Sequence, residues 1–148
     1  MRRFLWDDIV ITHDTAANAV KSHLETQVQH AIGYWALHIP PPDDSIGGFV
    51  GFRFMDQGPD IELMYGLASP HWGKGLASEA CTVAIDYLWR STAFNRLYAR
   101  TDPSNERSVQ VMRRLGMTLE SASPAMTTYL LRRSINPTSL EKFLQKLS

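Results

Sequence analysis

Two glycines and a lysine stand directly before an amphipathic stretch in the segment SPHWGKGLASEA, residues 69–80. Glycine lets backbone N–H groups approach a ligand closely, because it has no Cβ and tolerates left-handed backbone angles. A helix N-terminus adds partial positive charge, so phosphate groups bind there. The pattern of Gly73, Lys74 and Gly75 therefore favours an anion-binding turn, and a plain tight turn is the alternative.

Common nucleotide-binding loops do not fit this turn. A Walker A loop requires G-x-x-x-x-G-K-[ST], whereas here Lys74 lies between two glycines and Leu76 follows them. The G-x-G-x-x-G spacing of dinucleotide-binding folds is absent as well. Since no acidic magnesium site accompanies the loop, the sequence disfavours a nucleotide-phosphate enzyme.

Hydrophobic periodicity and turn residues predict the elements that must position the turn. Strands are predicted over residues 34–39, 46–55, 61–68, 96–101 and 126–133. Helices are predicted over residues 15–30 with Asp14 as N-cap, from Leu76 onward, over 104–115 before Gly116, and over 137–148. The apolar stripe predicted for the second helix is Leu76, Ala80, Val83, Ala84, Tyr87 and Leu88.

This order of elements indicates an α/β (α+β) fold with a mixed sheet flanked by helices. The first three strands are expected to form an antiparallel meander. The glycines within residues 46–55 indicate a bulge or close packing. The two strands joined by the helix after Gly75 are expected to be parallel, with a right-handed crossover.

The composition is that of an ordinary globular chain, and one domain over residues 1–148 is expected. A formal net charge of zero disfavours nonspecific nucleic-acid binding, and no apolar run approaches the ~20 residues of a membrane span. The lone Cys81 cannot form an internal disulfide, so a reducing, cytoplasmic location is expected, with the thiol buried and inert. The five histidines show no convincing ligand spacing, so no metal is predicted, and His71 is expected to be exposed.

Residues 46–117 resemble the GNAT acetyltransferase superfamily, and most closely the branch with the ribosomal-protein N-terminal acetyltransferases. Trp72-x-x-Gly75-x-Ala77 stands where the superfamily carries Gln/Arg-x-x-Gly-x-Gly/Ala. Asn105-x-x-Ser108 precedes a helix that ends in LGM, residues 115–117. These two motifs, at the right separation, make the resemblance specific. The fold that it implies is a mixed, mostly antiparallel sheet flanked by helices.

The resemblance implies that acetyl-CoA is the co-substrate and that no metal takes part. The pyrophosphate of the coenzyme would lie against the backbone N–H groups of residues 73–77. Lys74 is either a further positive charge or a solvated side chain, and Trp72 is interpreted as a packing anchor. The expected acetyl-CoA contacts are Leu67, Ala68, Trp72, Gly73, Lys74, Gly75, Leu76, Ala77, Asn105 and Ser108.

The resemblance also implies direct transfer of the acetyl group to a primary amine in a ternary complex. Glu62 is the candidate general base through a water, and a solvent-facing strand residue is the alternative. A backbone N–H near Leu67 would polarise the thioester carbonyl. Many relatives protonate the leaving thiolate with a tyrosine where this chain has Met112, which has no proton to donate. Ser108 is expected to replace that tyrosine as the proton donor, and the alternative is that its hydroxyl only forms a hydrogen bond at the start of the helix. Asn105 either supports the pantetheine arm or caps the helix.

The acceptor is predicted only as a class, a protein or peptide N-terminus or a small-molecule amine. Met64 and Gly66 replace residues that the branch usually carries on this strand. Asp7 and Asp8 either attract a cationic amine or are ordinary loop acids.

Relatives begin with a strand and a helix that this chain is expected to lack, so that the domain is N-terminally short, unless an upstream start was missed. The edge of the strand over residues 34–39 would then be unpaired. A homodimer that covers this edge is therefore expected. The alternative function is a non-catalytic acyl-CoA-binding or interaction module with a degenerate fold.

Overall fold

The computed structural model describes residues 12–134, and this range contains six strands and three α-helices. The strands are β1 Tyr34–Ile39, β2 Ser45–Phe54, β3 Ile61–Leu67, β4 Arg96–Thr101, β5 Thr118–Ala122 and β6 Thr127–Arg132. The α-helices are α1 His13–His30, α2 Leu76–Ser91 and α3 Glu106–Arg114, and a 3₁₀ turn spans Ser69–His71. The predicted tail helix and the acids Asp7 and Asp8 lie outside the described residues.

The strands form one sheet in the order β1-β2-β3-β4-β6-β5. The predicted antiparallel meander of β1, β2 and β3 is confirmed, and β4, β6 and β5 are also antiparallel neighbours. β3 and β4 are parallel and are joined through α2, as predicted. Their in-register pairing is confined to Glu62 opposite Tyr98, so the last part of β3 separates from β4. The mixed, mostly antiparallel α/β fold is thereby confirmed.

Helix α2 packs on the sheet along a line that differs from the predicted stripe. Its buried side chains are Cys81, Ala84, Ile85 and Leu88. Val83 is 67% exposed, so its predicted burial is wrong. Tyr87 covers the rim of the sheet, where its ring lies edge-on to Trp35 and its hydroxyl donates to the carbonyl oxygen of Ala31. The helix therefore contacts the core at the i, i+3, i+4 and i+7 positions counted from Cys81.

Two local predictions are corrected by the structure. Helix α1 has Thr12 rather than Asp14 as its N-cap, since the Thr12 hydroxyl accepts a hydrogen bond from the N–H of Thr15. The sequence pattern does not predict β5, because all five of its residues are exposed and none alternates with a buried neighbour. Pairing with β6 defines this strand. Gly116, with φ +79°, ends α3 as predicted.

The glycines of β2 permit a bulge and a close approach, as their positions predict. The register between β1 and β2 shifts at Gly47. A Cβ on Gly48 would collide with the carbonyl oxygen of Gly66 on β3. A Cβ on Gly47 would lie 2.8 Å from Cδ2 of His71, so the missing side chain leaves room for that ring. The 3₁₀ turn after β3 can therefore pack directly on β2.

Candidate active site

A cleft of about 530 Å³ opens where β3 separates from β4. Its walls are β3 and the first turns of α3, and the segment before α2 closes one end. This volume suits a small ligand or cofactor. The predicted site residues that line the cleft are Glu62, Leu67, Trp72, Gly73, Gly75, Leu76, Ala77, Asn105 and Ser108.

Two of the predicted contacts, Ala68 and Lys74, are not brought into the wall of the cleft. Lys74 is exposed, which agrees with its interpretation as a solvated side chain. The N–H of Ala68 donates to the carbonyl oxygen of Gly47 at 2.8 Å. Because successive N–H groups of a strand point to opposite edges, the N–H of Leu67 points away from β2, toward the cleft.

The glycine turn has the backbone geometry that its composition predicts. Gly73 and Gly75 have φ values of +74° and +76°, in the left-handed region that glycine adopts without strain. Gly75 is the N-cap of α2 and offers no side chain to the first N–H groups of the helix. A Cβ at either glycine would meet no protein atom within 4 Å. The turn therefore exposes backbone donors and a helix N-terminus to open space.

Two buried polar atoms beside the turn have no hydrogen-bond partner among the described residues. They are Nδ1 of His71 and Oγ of Ser78, and both residues line the cleft. His71 is only 7% exposed, so its predicted exposure is wrong. The 3₁₀ turn directs its ring inward over Gly47. Leaving such atoms unpaired costs ~1–3 kcal/mol each.

Ser78 is a candidate site residue that the sequence pattern does not single out. It lies in the first turn of α2, three positions after the N-cap Gly75, and it lines the cleft although its Oγ is buried. The sequence signal was that Ser78 is a small polar residue three positions before Cys81, on the otherwise apolar side of α2. A phosphate-bearing cofactor such as the one implied by the resemblance would find hydrogen-bond donors from the backbone at the start of α2.

Trp72 ties the turn to both walls of the cleft. Its Nε1 donates to the carbonyl oxygen of Leu67 at 2.9 Å. The guanidinium of Arg107 lies over its ring, 4.5 Å from the centroid, which is a cation–π geometry. Trp72 thus connects the end of β3, the glycine turn and the start of α3, consistent with its interpretation as a packing anchor.

Glu62 is 2% exposed, so the alternative of a solvent-facing strand residue is wrong. Its cross-strand neighbour Arg53 donates to Oε2 from Nε at 3.0 Å and lies 2.9 Å from it through Nη2. Arg100 donates to Oε1 from Nε at 3.0 Å and to Oε2 from Nη2 at 3.1 Å. Oε2 is therefore surrounded, whereas Oε1 receives one described hydrogen bond and keeps a lone pair for a water.

Arg100 is held on both sides by carboxylates. Besides Glu62, it contacts both carboxylate oxygens of Asp56, at 3.1 and 2.9 Å from Nη1. The hydrogen bonds to Glu62 raise the pKa of Arg100 above its ordinary value, more than burial lowers it. The guanidinium is therefore charged at any working pH and fixes the position of the Glu62 carboxylate.

Asn105 and Ser108 lie together at the start of α3. Oδ1 of Asn105 accepts a hydrogen bond from the N–H of Ser108 at 3.3 Å, so Asn105 caps the helix while it lines the cleft. Oγ of Ser108 lies 2.7 Å from the hydroxyl of Tyr65. Met112, at the position where many relatives have a tyrosine, is buried in the core.

Tyr65 is a second candidate residue that sequence reasoning missed. Strand alternation places it on the face opposite Glu62, yet both residues line the cleft, because β3 has no in-register partner on β4 beyond Glu62. The available signal was the motif Glu-Leu-Met-Tyr itself, because it places a tyrosine on the same strand as the candidate base, three residues later.

The α3 side of the cleft carries two arginines, besides Arg53 and Arg100 on the strands, which pair with Glu62. Arg107 and Arg114 line it, whereas Arg113 lies in a separate shallow depression with Pro103. Arginine side chains at this wall attract phosphate groups. Arg113 and Arg114 are both exposed to solvent, and Arg114 also borders the cleft.

The rest of the described chain adds two findings. Over residues 12–134, no group of three or more His, Cys, Asp or Glu side chains is arranged to hold a metal ion, and no helix is long and apolar enough to cross a membrane. Cys81 is buried, as predicted, and burial raises the pKa of its thiol to about 12. The reactive thiolate is therefore disfavoured at neutral pH.

Comparison with known proteins connects this architecture to a family. The profile described as Acetyltransferase (GNAT) domain matches residues 1–118. The uncharacterized N-acetyltransferase p20 of Bacillus licheniformis is 38% identical over 78 residues, which are 52% of this chain and 44% of that protein. The ribosomal protein uS5-alanine N-acetyltransferase of Escherichia coli K12 is 40% identical over 98 residues, 65% of this chain and 50% of that protein.

A solved structure shows the same fold at low identity. An acetyltransferase of Salmonella typhimurium, solved with its cofactor acetyl-CoA, matches with a TM-score of 0.72 and 16% identity, over 90% of this chain and 80% of that one. The matched stretch spans half or less of the length of the two curated relatives above.

Proposed function

The chain belongs to the acetyltransferase (GNAT) domain family, and we propose that it transfers an acetyl group from acetyl-CoA to a primary amine. The observation that carries this proposal is the left-handed glycine turn at the start of α2, which opens onto the cleft between β3 and α3. Backbone donors, a helix N-terminus and two arginines converge there on space that is free of protein atoms.

In this proposal the cleft residues share the binding of acetyl-CoA. The N–H groups that follow Gly75 hold the pyrophosphate. The free edge of β3 pairs with the pantetheine arm, and Arg107 adds positive charge at the opposite wall.

The chemistry follows from the polar groups around the end of β3. The bound thioester supplies an activated acetyl group for attack by a neutral amine. The N–H of Leu67, which points away from β2, is the donor that polarises the thioester carbonyl. The free lone pair on Oε1 of Glu62 accepts the proton of the amine through a water, and Ser108 serves the leaving sulfur.

The acceptor is a protein or peptide N-terminus or a small-molecule amine. By their names, one relative acetylates an alanine of ribosomal protein uS5 and another acetylates N1 of spermidine. An α-amine, with a pKa of about 7.7–8.0, needs less help from a base than a lysine side chain at about 10.4. The second candidate function is a non-catalytic acyl-CoA-binding module, which Met112 favours because it lacks the proton donor that many relatives carry at this position.

We also propose a cytoplasmic protein that associates as a homodimer. β1 is the first strand of the sheet order, and no other described strand pairs with its outer edge. An exposed strand edge is a template for pairing with another chain, and a second copy is the partner proposed here. Sedimentation velocity at high concentration tests this point, and a monomer would count against it.

The proposal is tested by thermal unfolding of the full chain with acetyl-CoA, CoA or ATP, followed by assay of CoA release with a panel of amines. A ligand at 100 times its dissociation constant stabilises the folded state by about 2.7 kcal/mol. Stabilisation by acetyl-CoA and CoA but not ATP, with amine-dependent CoA release, supports an acetyltransferase. Stabilisation without release by any amine favours the binding module, and no stabilisation contradicts both.

A further inference from the structure

Tyr65 on β3 and Ser108 on the first turn of α3 form a bridge across the cleft. The phenol oxygen lies 2.7 Å from Oγ of Ser108, and the phenol also reaches the backbone carbonyl oxygen of Ser108 at 3.1 Å. Both residues line the cleft. The bridge joins the strand that separates from β4 to the helix on the opposite wall, so it stands at the point where the two walls converge.

Ser108 is held from two directions. Its backbone N–H donates to Oδ1 of Asn105, which fixes the first turn of α3. Its side chain contacts Tyr65. A serine hydroxyl has one proton and two lone pairs, so a neighbour that donates to Oγ leaves the serine proton free to point elsewhere.

Tyr65 has one proton and two acceptors within reach. The carbonyl oxygen can only accept from the phenol, whereas the two hydroxyls can bond in either direction, and a phenol proton directed to Oγ makes the shorter contact. Burial raises the pKa of Tyr65 above its ordinary value, more than its hydrogen bond to Ser108 lowers it. The phenol therefore keeps its proton and remains a donor throughout the neutral pH range.

We propose that Tyr65 is a positioning residue for acetyl transfer, which donates to Oγ of Ser108 and thereby turns the Ser108 proton toward the leaving sulfur. This inference rests on the function proposed above. The bond between the amine nitrogen and the acetyl carbon forms, the carbon–sulfur bond breaks, and the sulfur leaves with the electron pair. Ser108 donates a hydrogen bond to this thiolate, which takes its proton from water, while the amine gives up one proton, through Glu62, to water.

Two hydroxyls in a chain bind an anion more strongly than one, because each hydrogen bond polarises the next. Tyr65 has no contact of its own with the sulfur in this arrangement and acts only through Ser108. Loss of the phenol hydroxyl should therefore matter while Ser108 is present and should have no further effect once the serine hydroxyl is gone.

The experiment is a double-mutant cycle with Tyr65→Phe, Ser108→Ala and the combined variant. The measured quantities are kcat, KM for acetyl-CoA and the thermal midpoint. We expect each single variant to lower kcat about tenfold, the loss that one neutral hydrogen bond produces, with KM changed less than about twofold. The combined variant should be no slower than Ser108→Ala alone. The matched control is Tyr87→Phe, which removes a hydroxyl that bonds the carbonyl oxygen of Ala31 away from the cleft, and its kcat should equal that of the wild type.

The outcomes separate this inference from the proposed function. The role of Tyr65 is overturned if the wild type transfers acetyl groups and Tyr65→Phe keeps full kcat. It is also overturned if the effects of Tyr65→Phe and Ser108→Ala on kcat multiply in the combined variant. Either result leaves the acetyltransferase function intact. If Tyr65→Phe raises KM for acetyl-CoA without lowering kcat, Tyr65 only shapes the binding site, and its positioning role is overturned as well. If the wild type binds no acetyl-CoA, the proposed function fails first and this inference fails with it.

Discussion

Glu62 and Arg100 join the two parallel central strands by a pair of hydrogen bonds at the wall of the cleft, Nε to Oε1 at 3.0 Å and Nη2 to Oε2 at 3.1 Å. Arg53, opposite Glu62 on β2, completes a line of three charges across three strands. A buried carboxylate is tolerated only when it is paired in this way. The arrangement holds the strands together just before β3 and β4 separate.

Replacement of Glu62 by Gln separates a catalytic role from a structural one. The variant should lose about 2 kcal/mol of unfolding free energy, because the hydrogen bonds from two guanidinium groups lose their charged acceptor. If Glu62 accepts the proton of the amine, kcat at saturating substrate should fall about 100-fold across the pH range, with little change in acetyl-CoA affinity. Denaturant unfolding and kcat measured well below the thermal midpoint give the two readouts.

The control for that variant is Asp60→Asn. Asp60 accepts a hydrogen bond from Arg96 at 2.9 Å outside the cleft, and both side chains are partly exposed. Such a pair contributes about 0–1 kcal/mol, so both stability and kcat should stay near the wild-type values. A stability loss in Glu62→Gln with unchanged kcat would assign Glu62 a structural role only.

Gly75→Ala should weaken acetyl-CoA binding and destabilise the fold slightly. A non-glycine residue at φ +76° costs about 1–2 kcal/mol. The new Cβ meets no protein atom within 4 Å, so any steric conflict beyond that cost must come from a bound ligand. Calorimetric titration with CoA should show at least tenfold weaker binding, or about 1.4 kcal/mol. Gly58→Ala, at a position without positive φ and outside the cleft, should leave affinity unchanged.

Trp72→Phe removes the donor that reaches the carbonyl oxygen of Leu67 and leaves an aromatic ring in place. The expected loss is about 1 kcal/mol of unfolding free energy, together with a severalfold weaker affinity for CoA, because the glycine turn loses its tie to β3. Arg107→Met removes the cation–π contact instead and should cost less stability. Equal CoA affinity in wild type and Trp72→Phe would show that the turn does not need this tie.

The buried thiol of Cys81 should make the fold less stable at alkaline pH. Burial raises its pKa to about 12 in the folded state, against about 8.5 in an unfolded chain. The unfolded state therefore loses its proton first, and stability that is complete below pH ~8.5 is lost as the pH rises toward 12. Between pH ~7.5 and ~9.5 the wild type should lose about 1.4 kcal/mol more than Cys81→Ala. If the unfolding free energies of the wild type and Cys81→Ala change equally with pH, the thiol is not buried and protonated as described.

Much of the framework follows from local sequence. Alternation and turn residues predict strands β1 to β4 and β6, since each of these patterns lies within one short segment. The left-handed glycines at 73, 75 and 116 are predictable because their backbone angles depend on the residue itself. The exposed strand β5 carries no such pattern, and only its pairing with β6 makes it a strand.

The sequence by itself determined the order of elements, the glycine turn at the start of α2 and the family that this turn indicates, because these depend on neighbours in the chain. The tertiary structure alone decided that His71 faces inward over Gly47 and that Tyr65 meets Ser108. The tertiary structure also brought Arg53 and Arg100 to the carboxylate of Glu62. These contacts join segments that the sheet and the crossover bring together, so no local pattern in any one segment encodes them.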